Sequence, residues 1–258
     1  MPLVTTSKQQ IYYELSGEPA DKPVLLLVHG AGGSHLDWPA ELRHLPDTAV
    51  IAIDLPGHGR TPLPARTTIT AYADDIEKLI EKLALEHVIV AGHSMGGAIA
   101  QELAIRRSPQ VVGLVLVGTG AKLRVSPALL EMIETDFATA VAAVPQYAFA
   151  PAAPDNLRRA HQNRLAQNDA DVVYGDFAAC DAFDVRERLG EISIPTLVIS
   201  GSEDKMTPPK YGRYLADRIP RAAFTLIENA GHMLALEQPE RVTAVIRQFL
   251  TTADFTTA

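Results

Sequence analysis

Short apolar runs rich in β-branched residues recur along this chain and alternate with segments of helical periodicity. Continuous apolar runs of this length are typical of strands buried on both faces of a parallel sheet. The alternation therefore predicts an α/β fold with a mostly parallel, doubly wound sheet, in which ligands bind at the carboxyl ends of the strands. The six runs span residues 24–28, 50–53, 88–90, 111–117, 196–199 and 224–227.

Helical periodicity is clearest in two segments, one in the middle of the chain and one near its C-terminus. In both, apolar residues recur at the spacing that places them on one face of a helix. The first set is Tyr72, Ile76, Leu79, Ile80 and Leu83, and the second is Val242, Val245, Ile246, Phe249 and Leu250.

The alternation lapses between about residues 120 and 190, where no convincing strand is present and Ala, Pro, Asp and Arg are frequent. Because this insertion follows the carboxyl end of a strand, we predict a helical cap over a site. Residues 1–119 and 191–258 are then the first and second parts of the core domain. The alternative is a longer run of helices that only pack on the core.

The first helix of the insertion has a favourable start at Ser126 and Pro127, with serine at the N-cap and proline in the first turn. Its apolar face is expected to comprise Leu129, Ile133 and Phe137. A break at residues 151–155 is expected to precede a second helix.

The composition excludes several other classes of protein. The chain has 258 residues, 47% of them hydrophobic, which is enough for one sizeable core. Its net charge is −8 and it contains no run of Lys and Arg, so we expect no nucleic-acid partner. Residues 1–8 lack the pattern of an export signal, and no apolar run approaches the roughly 18 residues that span a bilayer. We therefore expect a cytoplasmic protein with no membrane partner; the oligomeric state is not predicted.

Cys180 is the only cysteine, which excludes an internal disulfide and a Cys-rich metal site. No metal and no cofactor are expected.

The segment Gly92-His93-Ser94-Met95-Gly96 lies between a predicted strand and a predicted helix. This is the context of a G-x-S-x-G nucleophile elbow, in which a strained turn holds the serine hydroxyl above the sheet edge. The helix that follows points its free N–H groups at the same place, which suits a developing oxyanion. Ser94 is therefore the candidate nucleophile; the alternative is a glycine-rich turn without chemical meaning.

A serine hydroxyl needs a base, and eight histidines are available. His232 follows the strand at 224–227 and hangs from the same sheet edge as Ser94, so it is the candidate base. His93 is adjacent to Ser94, but neighbouring side chains on an extended segment point to opposite faces, so it is not expected to reach the hydroxyl. We expect structural hydrogen bonds from His29 and His58. The others, His35, His44, His87 and His161, resemble surface or packing residues.

A carboxylate must orient the histidine and stabilise its charged form. Asp204 follows the strand at 196–199, and the chain order Ser94, Asp204, His232 is that of α/β-hydrolases. Glu203 is the nearest competitor. The preceding strand ends in residues 118–122, which contain no acid.

The oxyanion of an acyl-transfer intermediate needs two N–H donors. One is expected from the backbone of Met95, the residue after the nucleophile, and the other from Ala31 in the loop His29-Gly30-Ala31-Gly32-Gly33. The alternative for this loop is a tight βα turn only.

Five motifs together resemble the α/β-hydrolase superfamily of capped esterases and related hydrolases. They are HGAGG from His29, DLPGHGR from Asp54, GHSMGG around Ser94, GSEDKMTPP from Gly201 and NAGHMLALEQPE from Asn229. The resemblance covers nearly the whole chain outside the cap and implies a cofactor-free mechanism, in which Ser94 is acylated and water then releases the product. It implies a small-molecule ester as the substrate, with lactonases, carbon–carbon bond hydrolases and cofactor-free perhydrolases as alternatives. Dehalogenases and epoxide hydrolases are disfavoured, because Ser94 stands where dehalogenases have Asp.

Two readings of a different kind remain open. Gly30-Ala31-Gly32-Gly33 followed by a strand ending in Asp54 resembles a dinucleotide-binding fingerprint, but His35 stands where the third glycine is required. A binding module on a hydrolase scaffold is also compatible with the fold.

The insertion supplies apolar surface suited to a pocket for neutral acyl groups, although about half of these side chains should only pack the cap onto the core. They are Met132, Ile133, Phe137, Tyr147, Phe149, Tyr174, Phe177 and Phe183. No arginine can be assigned to a substrate carboxylate, although Arg124, Arg158, Arg159 and Arg164 lie in the insertion.

Overall fold

One eight-stranded sheet forms the centre of the protein in the computed structural model, which describes residues 3–6, 10–19 and 22–255. The strands lie in the order β1-β2-β4-β3-β5-β6-β7-β8. β1 and β2 are antiparallel to their neighbours and the remaining pairs are parallel, which confirms the predicted mostly parallel α/β sheet. The strands are β1 (Leu3–Thr5), β2 (Gln10–Ser16), β3 (Val24–Val28), β4 (Val50–Ile53), β5 (Val88–His93), β6 (Val111–Val117), β7 (Thr196–Gly201) and β8 (Ala222–Ile227).

The central strands are buried on both faces, and their alternate side chains belong to two separate hydrophobic layers. In β3, Leu25 and Leu27 pack into one layer, while Leu26 and Val28 pack into the other. This double burial explains why the strands read as continuous apolar runs rather than as an alternation. The carboxyl ends of the parallel strands meet at one edge, where the candidate site residues lie.

Helices cover both faces of the sheet. They are α1 (Ala40–Arg43), α2 (Ile69–Lys82), α3 (Met95–Ile105), α4 (Pro127–Thr135), α5 (Phe137–Ala148), α6 (Asp155–Leu165), α7 (Ala170–Ala182), α8 (Pro209–Arg218), α9 (Leu234–Glu237) and α10 (Pro239–Thr252). The amphipathic segments predicted after Thr70 and near the C-terminus are α2 and α10, and their apolar faces pack on opposite sides of the sheet. Among the described residues, no helix is long and apolar enough to cross a membrane.

The segment between β6 and β7 contains four consecutive helices, α4 to α7, where the sequence indicated two. Ser126 is the N-cap of α4 and Pro127 its first residue, as expected. However, α4 ends before Phe137, because the Asp136 side chain accepts a hydrogen bond from the N–H of Thr139 and so caps a new helix. Phe137 therefore lies in α5 and not on the apolar face of α4.

Candidate active site

Ser94 occupies the single residue between β5 and α3, with φ 53° and ψ −113°. Positive φ is strained for a residue with a side chain, and it turns the hydroxyl away from the sheet. The turn is closed by glycines: a Cβ atom on Gly92 would lie 2.1 Å from the carbonyl oxygen of Gly96, and one on Gly96 would lie 2.3 Å from that of Val28. The local sequence thus folds into the expected elbow because only glycine fits at positions 92 and 96, two residues before and two residues after Ser94.

His232 and Asp204 are hydrogen-bonded across two loops at the same sheet edge. The His232 Nδ1 lies 2.9 Å from Asp204 Oδ2, and both residues are only 4% exposed. The loops approach closely because Gly201 has no side chain; a Cβ there would lie 2.4 Å from the carbonyl oxygen of Ala230. Asp204, rather than Glu203, is the carboxylate that contacts the imidazole.

Thr207 supports this pair. Its hydroxyl donates a 2.8 Å hydrogen bond to Asp204 Oδ2 and lies 3.1 Å from His232 Nδ1. The other carboxylate oxygen accepts the N–H groups of Met206 and Thr207. Burial opposes ionisation of Asp204, but the neighbouring His232 and the hydrogen bonds from His232 and Thr207 outweigh it and hold the pKa of Asp204 below its ordinary value. The sequence contained no signal for the role of Thr207.

Ser94 and His232 line the same small cavity. No hydrogen bond joins their side chains within the described part of the chain. Such contacts are often loose before substrate binds, so the arrangement is compatible with proton transfer. His93 also lines this cavity; its Nε2 bonds the backbone carbonyl of His232 at 2.9 Å, and the two rings are 4.7 Å apart. His93 thus contacts the candidate base and not the serine hydroxyl.

The two expected oxyanion donors lie on either side of Ser94. Met95 begins α3, and the nearby backbone of Gly30 is so close that a Cβ there would lie 3.2 Å from Ser94 Cβ. Ala31 lines the cavity together with Ser94. Within the described residues neither the N–H of Ala31 nor that of Met95 donates to a protein acceptor. Both remain available to a bound oxyanion.

The loop that carries Ala31 is held from the segment between β6 and β7. The N–H of Gly32 donates to Asp176 Oδ2 at 2.9 Å, and its carbonyl accepts from Asn168 at 2.9 Å. Asp176 is fully buried and also receives His58 Nε2 at 2.7 Å and the Tyr72 hydroxyl at 2.6 Å. Burial would lower the pKa of His58, but the charge and hydrogen bond of Asp176 prevail and raise it. The buried ion pair of Asp176 and His58 therefore anchors residues 29–33, the candidate oxyanion loop. Sequence reasoning did not detect this ion pair.

Two further histidines, His29 and His35, have structural roles. His29 bonds the Gly30 carbonyl and accepts the N–H of Leu55, as expected of a residue in a glycine turn. His35 was expected at the surface or in packing, but it is buried and contacts Asp54 at 2.8 Å. The Asp54 carboxylate is fully buried and accepts the N–H groups of His35 and Arg60. It is thus unavailable to a ribose, which removes the basis for a dinucleotide site.

His161 was also expected at the surface or in packing, but it lines the cavity beside Ser94. It lies in α6 and is 8% exposed. Nothing in the spacing of residues around it distinguishes it from a packing histidine, because its position depends on how the helices of the insertion fold over the sheet.

The apolar side chains of the insertion divide between pocket and core. A larger groove beside the cavity is lined in part by Met132, Tyr147 and Phe177. Ile133, Phe137, Phe149 and Phe183 instead pack in hydrophobic clusters, and Tyr174 is exposed. Of the arginines, Arg124 lines the groove, Arg164 pairs with Asp37, Arg158 bonds backbone carbonyls and Arg159 is exposed.

Cys180 is the only thiol of the chain, and it is buried. Burial raises the pKa of the Cys180 thiol far above its ordinary value, so it is not a reactive nucleophile. Within residues 3–6, 10–19 and 22–255, no group of three or more His, Cys, Asp or Glu side chains is arranged to hold a metal ion.

The parallel sheet, with a serine on the sharp turn between β5 and α3, is the architecture of an α/β hydrolase. A profile described as the alpha/beta hydrolase family matches residues 25–245, and the chain belongs to this family. It is similar over 95% of its length, at 31% identity, to the whole of a protein provisionally named carbamate hydrolase RutD from Agrobacterium fabrum (strain C58 / ATCC 33970).

Two solved structures are similar over almost the entire chain. The enol-lactonase from Burkholderia xenovorans LB400 has a TM-score of 0.87 at 25% identity, covering 97% of this chain and 100% of that one. A thermophilic esterase from Thermogutta terrifontis, determined with malate bound, has a TM-score of 0.86 at 27% identity, covering 96% and 97%. These similarities identify the chain as a hydrolase.

Proposed function

We propose that this protein is a serine hydrolase that cleaves carboxylic esters through an acyl-enzyme at Ser94. His232 is the general base, Asp204 orients it, and the N–H groups of Ala31 and Met95 bind the oxyanion. The observation that carries the proposal is the strained elbow of Ser94 in one cavity with a buried, hydrogen-bonded His232 and Asp204.

The mechanism follows from these positions. Ser94 Oγ attacks the ester carbonyl while its proton passes to His232 Nε2, and the carbonyl oxygen becomes an oxyanion held by the two N–H groups. Collapse of this intermediate breaks the bond to the alcohol, which leaves with the proton from His232. Water, deprotonated by His232, then attacks the acyl-enzyme and releases the acid and free Ser94.

The imidazolium that forms during the attack is stabilised by Asp204, which accepts a hydrogen bond from the Nδ1–H of His232 and stays ionised. Because Asp204 holds the ring proton on Nδ1, Nε2 of His232 stays free to take the proton of Ser94. Thr207 fixes the carboxylate that does so.

Residues 120–190 act as the cap of this site. In support, α5, α6 and α7 contribute Val144, His161 and Phe177 to the wall of the cavity, and the loop before α4 contributes Arg124 and Val125 to the adjoining groove. The apolar character of this wall suits a small or medium, mainly apolar substrate.

Lactone hydrolysis is the second candidate, supported by the 25% identity to an enol-lactonase over almost the whole chain. The same triad opens a cyclic ester without change, since the leaving alcohol merely stays attached to the acyl group. A carbamate is the third bond type suggested by a relative.

A panel of p-nitrophenyl esters of increasing chain length, run beside lactones, a carbamate and a vinylogous diketone, tests the proposal. Ester hydrolysis by the wild type is expected, and Ser94→Ala should lower kcat by on the order of 10⁶. Purified, folded Ser94→Ala protein that keeps more than a small fraction of the activity contradicts the nucleophile assignment. Activity confined to the diketone contradicts the ester assignment.

A further inference from the structure

Three polar side chains outside the candidate triad line the cavity beside Ser94: Asp37, His93 and His161. The rest of its wall, apart from the oxyanion loop, is apolar, with Val144, Ala148, Phe177, Met206 and Met233. A bound substrate is oriented by the few polar groups in such a pocket that still have hydrogen-bonding capacity. These three side chains differ in that respect.

Asp37 is already paired. Its Oδ1 accepts Nε and Nη2 of Arg164 at 3.0 and 2.8 Å, and its Oδ2 accepts the N–H of Ser34. The charge of Asp37 is thus balanced within the protein, and a substrate meets no net charge at this wall. This arrangement favours an uncharged substrate group here.

One of the two ring nitrogens of His93 already has a hydrogen-bond partner, because Nε2 bonds the backbone carbonyl of His232. His161 has no hydrogen bond at either ring nitrogen among the described residues. Its Nδ1 is enclosed and unpaired, while the ring packs edge-on against Phe149 at 5.6 Å. Since His161 lines the cavity, Nε2 is the nitrogen left to meet a bound molecule.

The imidazole of His161 is neutral at neutral pH. Burial lowers its pKa, and the neighbouring Arg164 and His232 lower it further, although Asp37 opposes this. A neutral ring has one N–H donor and one lone pair. Because unpaired buried N–H groups are rarer in proteins than unpaired acceptors, the proton belongs on Nε2, facing the cavity.

We propose that His161 is a specificity-determining residue, which donates a hydrogen bond from Nε2 to a second, uncharged oxygen of the substrate. This inference rests on the proposed ester hydrolysis at Ser94. The preferred substrates are then esters or lactones that carry a carbonyl, ether or hydroxyl oxygen besides the scissile group. Plain alkyl esters are poorer substrates, because they leave His161 without a partner when they displace water from the cavity.

Matched pairs of esters test this, each pair differing by a ketone oxygen and a methyl group of similar size. Two pairs vary the acyl group: p-nitrophenyl 4-oxopentanoate against 4-methylpentanoate, and 5-oxohexanoate against 5-methylhexanoate. A third pair varies the alcohol: 4-oxopentyl acetate against 4-methylpentyl acetate. Each ratio of kcat/KM is divided by the ratio of the alkaline hydrolysis rates, so that intrinsic reactivity cancels.

The wild type is expected to favour the ketone by about 10- to 100-fold in at least one pair. His161→Phe, which supplies an aromatic ring without nitrogen atoms, should bring that ratio to about one. His161→Gln retains an N–H donor and should keep part of the preference for the ketone. Asn163→Ala, an exposed position on the same helix with no hydrogen bond to the site, is the matched control and should keep the wild-type ratio.

Equal rates within all three pairs for the wild type overturn the proposal, as does a His161→Phe protein with the wild-type ratio. Should His161→Phe fail to fold, the wild-type ratios and His161→Gln still decide. Ester hydrolysis without discrimination removes only the role of His161. Absence of hydrolysis of all six esters, with Ser94 unreactive towards a fluorophosphonate, removes the proposed function as well.

Discussion

Asp204 and Glu203 are neighbours in the chain, yet only Asp204 contacts the candidate base His232. Asp204 is buried against His232, whereas Glu203 is partly exposed and has no side-chain hydrogen bond among the described residues. Asp204→Asn keeps the shape but can hold the imidazole in the wrong tautomer. It should therefore lower kcat by on the order of 10⁴, while Glu203→Gln should change it little.

Initial rates on one p-nitrophenyl ester, with thermal unfolding of each variant measured alongside, compare the two substitutions. If Glu203→Gln is inactive and Asp204→Asn is active, the assignment of the acid to Asp204 is wrong. That result leaves Ser94 and His232 untouched.

His29 predicts an acid-sensitive contribution to stability. Complete burial and the nearby His58 lower the pKa of His29 from 6.5 to about 4, with Asp54 opposing. The folded protein therefore keeps the ring neutral while the unfolded chain takes up a proton as the pH falls from about 6.5 to about 4. The free energy of unfolding should drop over this window by roughly 3 kcal/mol through this residue.

Urea unfolding at a series of pH values between 7.5 and 4.5 measures this drop. His29→Gln cannot titrate, so its free energy of unfolding should fall less steeply than that of the wild type. His58 acts in the opposite sense, because its raised pKa contributes stability that is lost as the pH increases, but it is present in both proteins. Parallel slopes for the two proteins count against a neutral, buried His29.

At the scale of the element, six strands could be predicted from sequence. Five of them, β3 to β7, read as apolar runs because they are buried on both faces, whereas β8 is an edge strand and is mostly half-buried. β5 runs to His93, three residues beyond the predicted run, since Ala91, Gly92 and His93 are held by pairing with β6 rather than by their own strand preference. β2 was not predicted; it lies near the sheet edge, where only part of it is buried.

The candidate triad could be proposed from sequence because its members lie at fixed points of the strand order, in the segments that follow β5, β7 and β8. Apart from Thr207, the residues that were missed come from the insertion. Asp176 and His161 lie on α7 and α6, whose packing over the sheet depends on tertiary contacts and not on a local motif. Sequence patterns therefore indicate the candidate triad more readily than the residues of the cavity wall.

Asp176 joins α7 to the oxyanion loop, to the loop of His58 and to α2, so its removal should loosen all three attachments. Asp176→Ala leaves a buried, charged His58 and the N–H of Gly32 unpaired, and should destabilise the protein by about 3–5 kcal/mol. Asp176→Asn, which keeps the size and one acceptor, should fold but lower kcat more than it raises KM, because the position of Ala31 matters most for the oxyanion.

Urea unfolding and steady-state kinetics of both variants measure these effects. Asp184→Ala is the matched control in the same insertion, since Asp184 is exposed and pairs at the surface with Lys122 and Arg186. It should change stability and kcat little. An Asp176→Ala protein as stable and active as Asp184→Ala shows that the loop is held without this anchor.

At the scale of the whole molecule, the candidate catalytic residues lie at one edge of the sheet, and the segment between β6 and β7 faces them. In this arrangement the core supplies Ser94, Asp204 and His232, while α5, α6 and α7 supply the facing wall. The division explains why the family can be inferred from the core motifs. Under the proposed function, the choice of ester depends on the wall.

The central claim, an activated Ser94, is tested most directly by mass spectrometry after a brief reaction with a fluorophosphonate. The account predicts one adduct per chain, located on the peptide that contains Ser94, and slow labelling in His232→Gln because the base is missing. Ser94→Ala should remain unlabelled. A stoichiometric adduct on another residue, or a wild-type protein that stays unlabelled while hydrolysing esters, would contradict it.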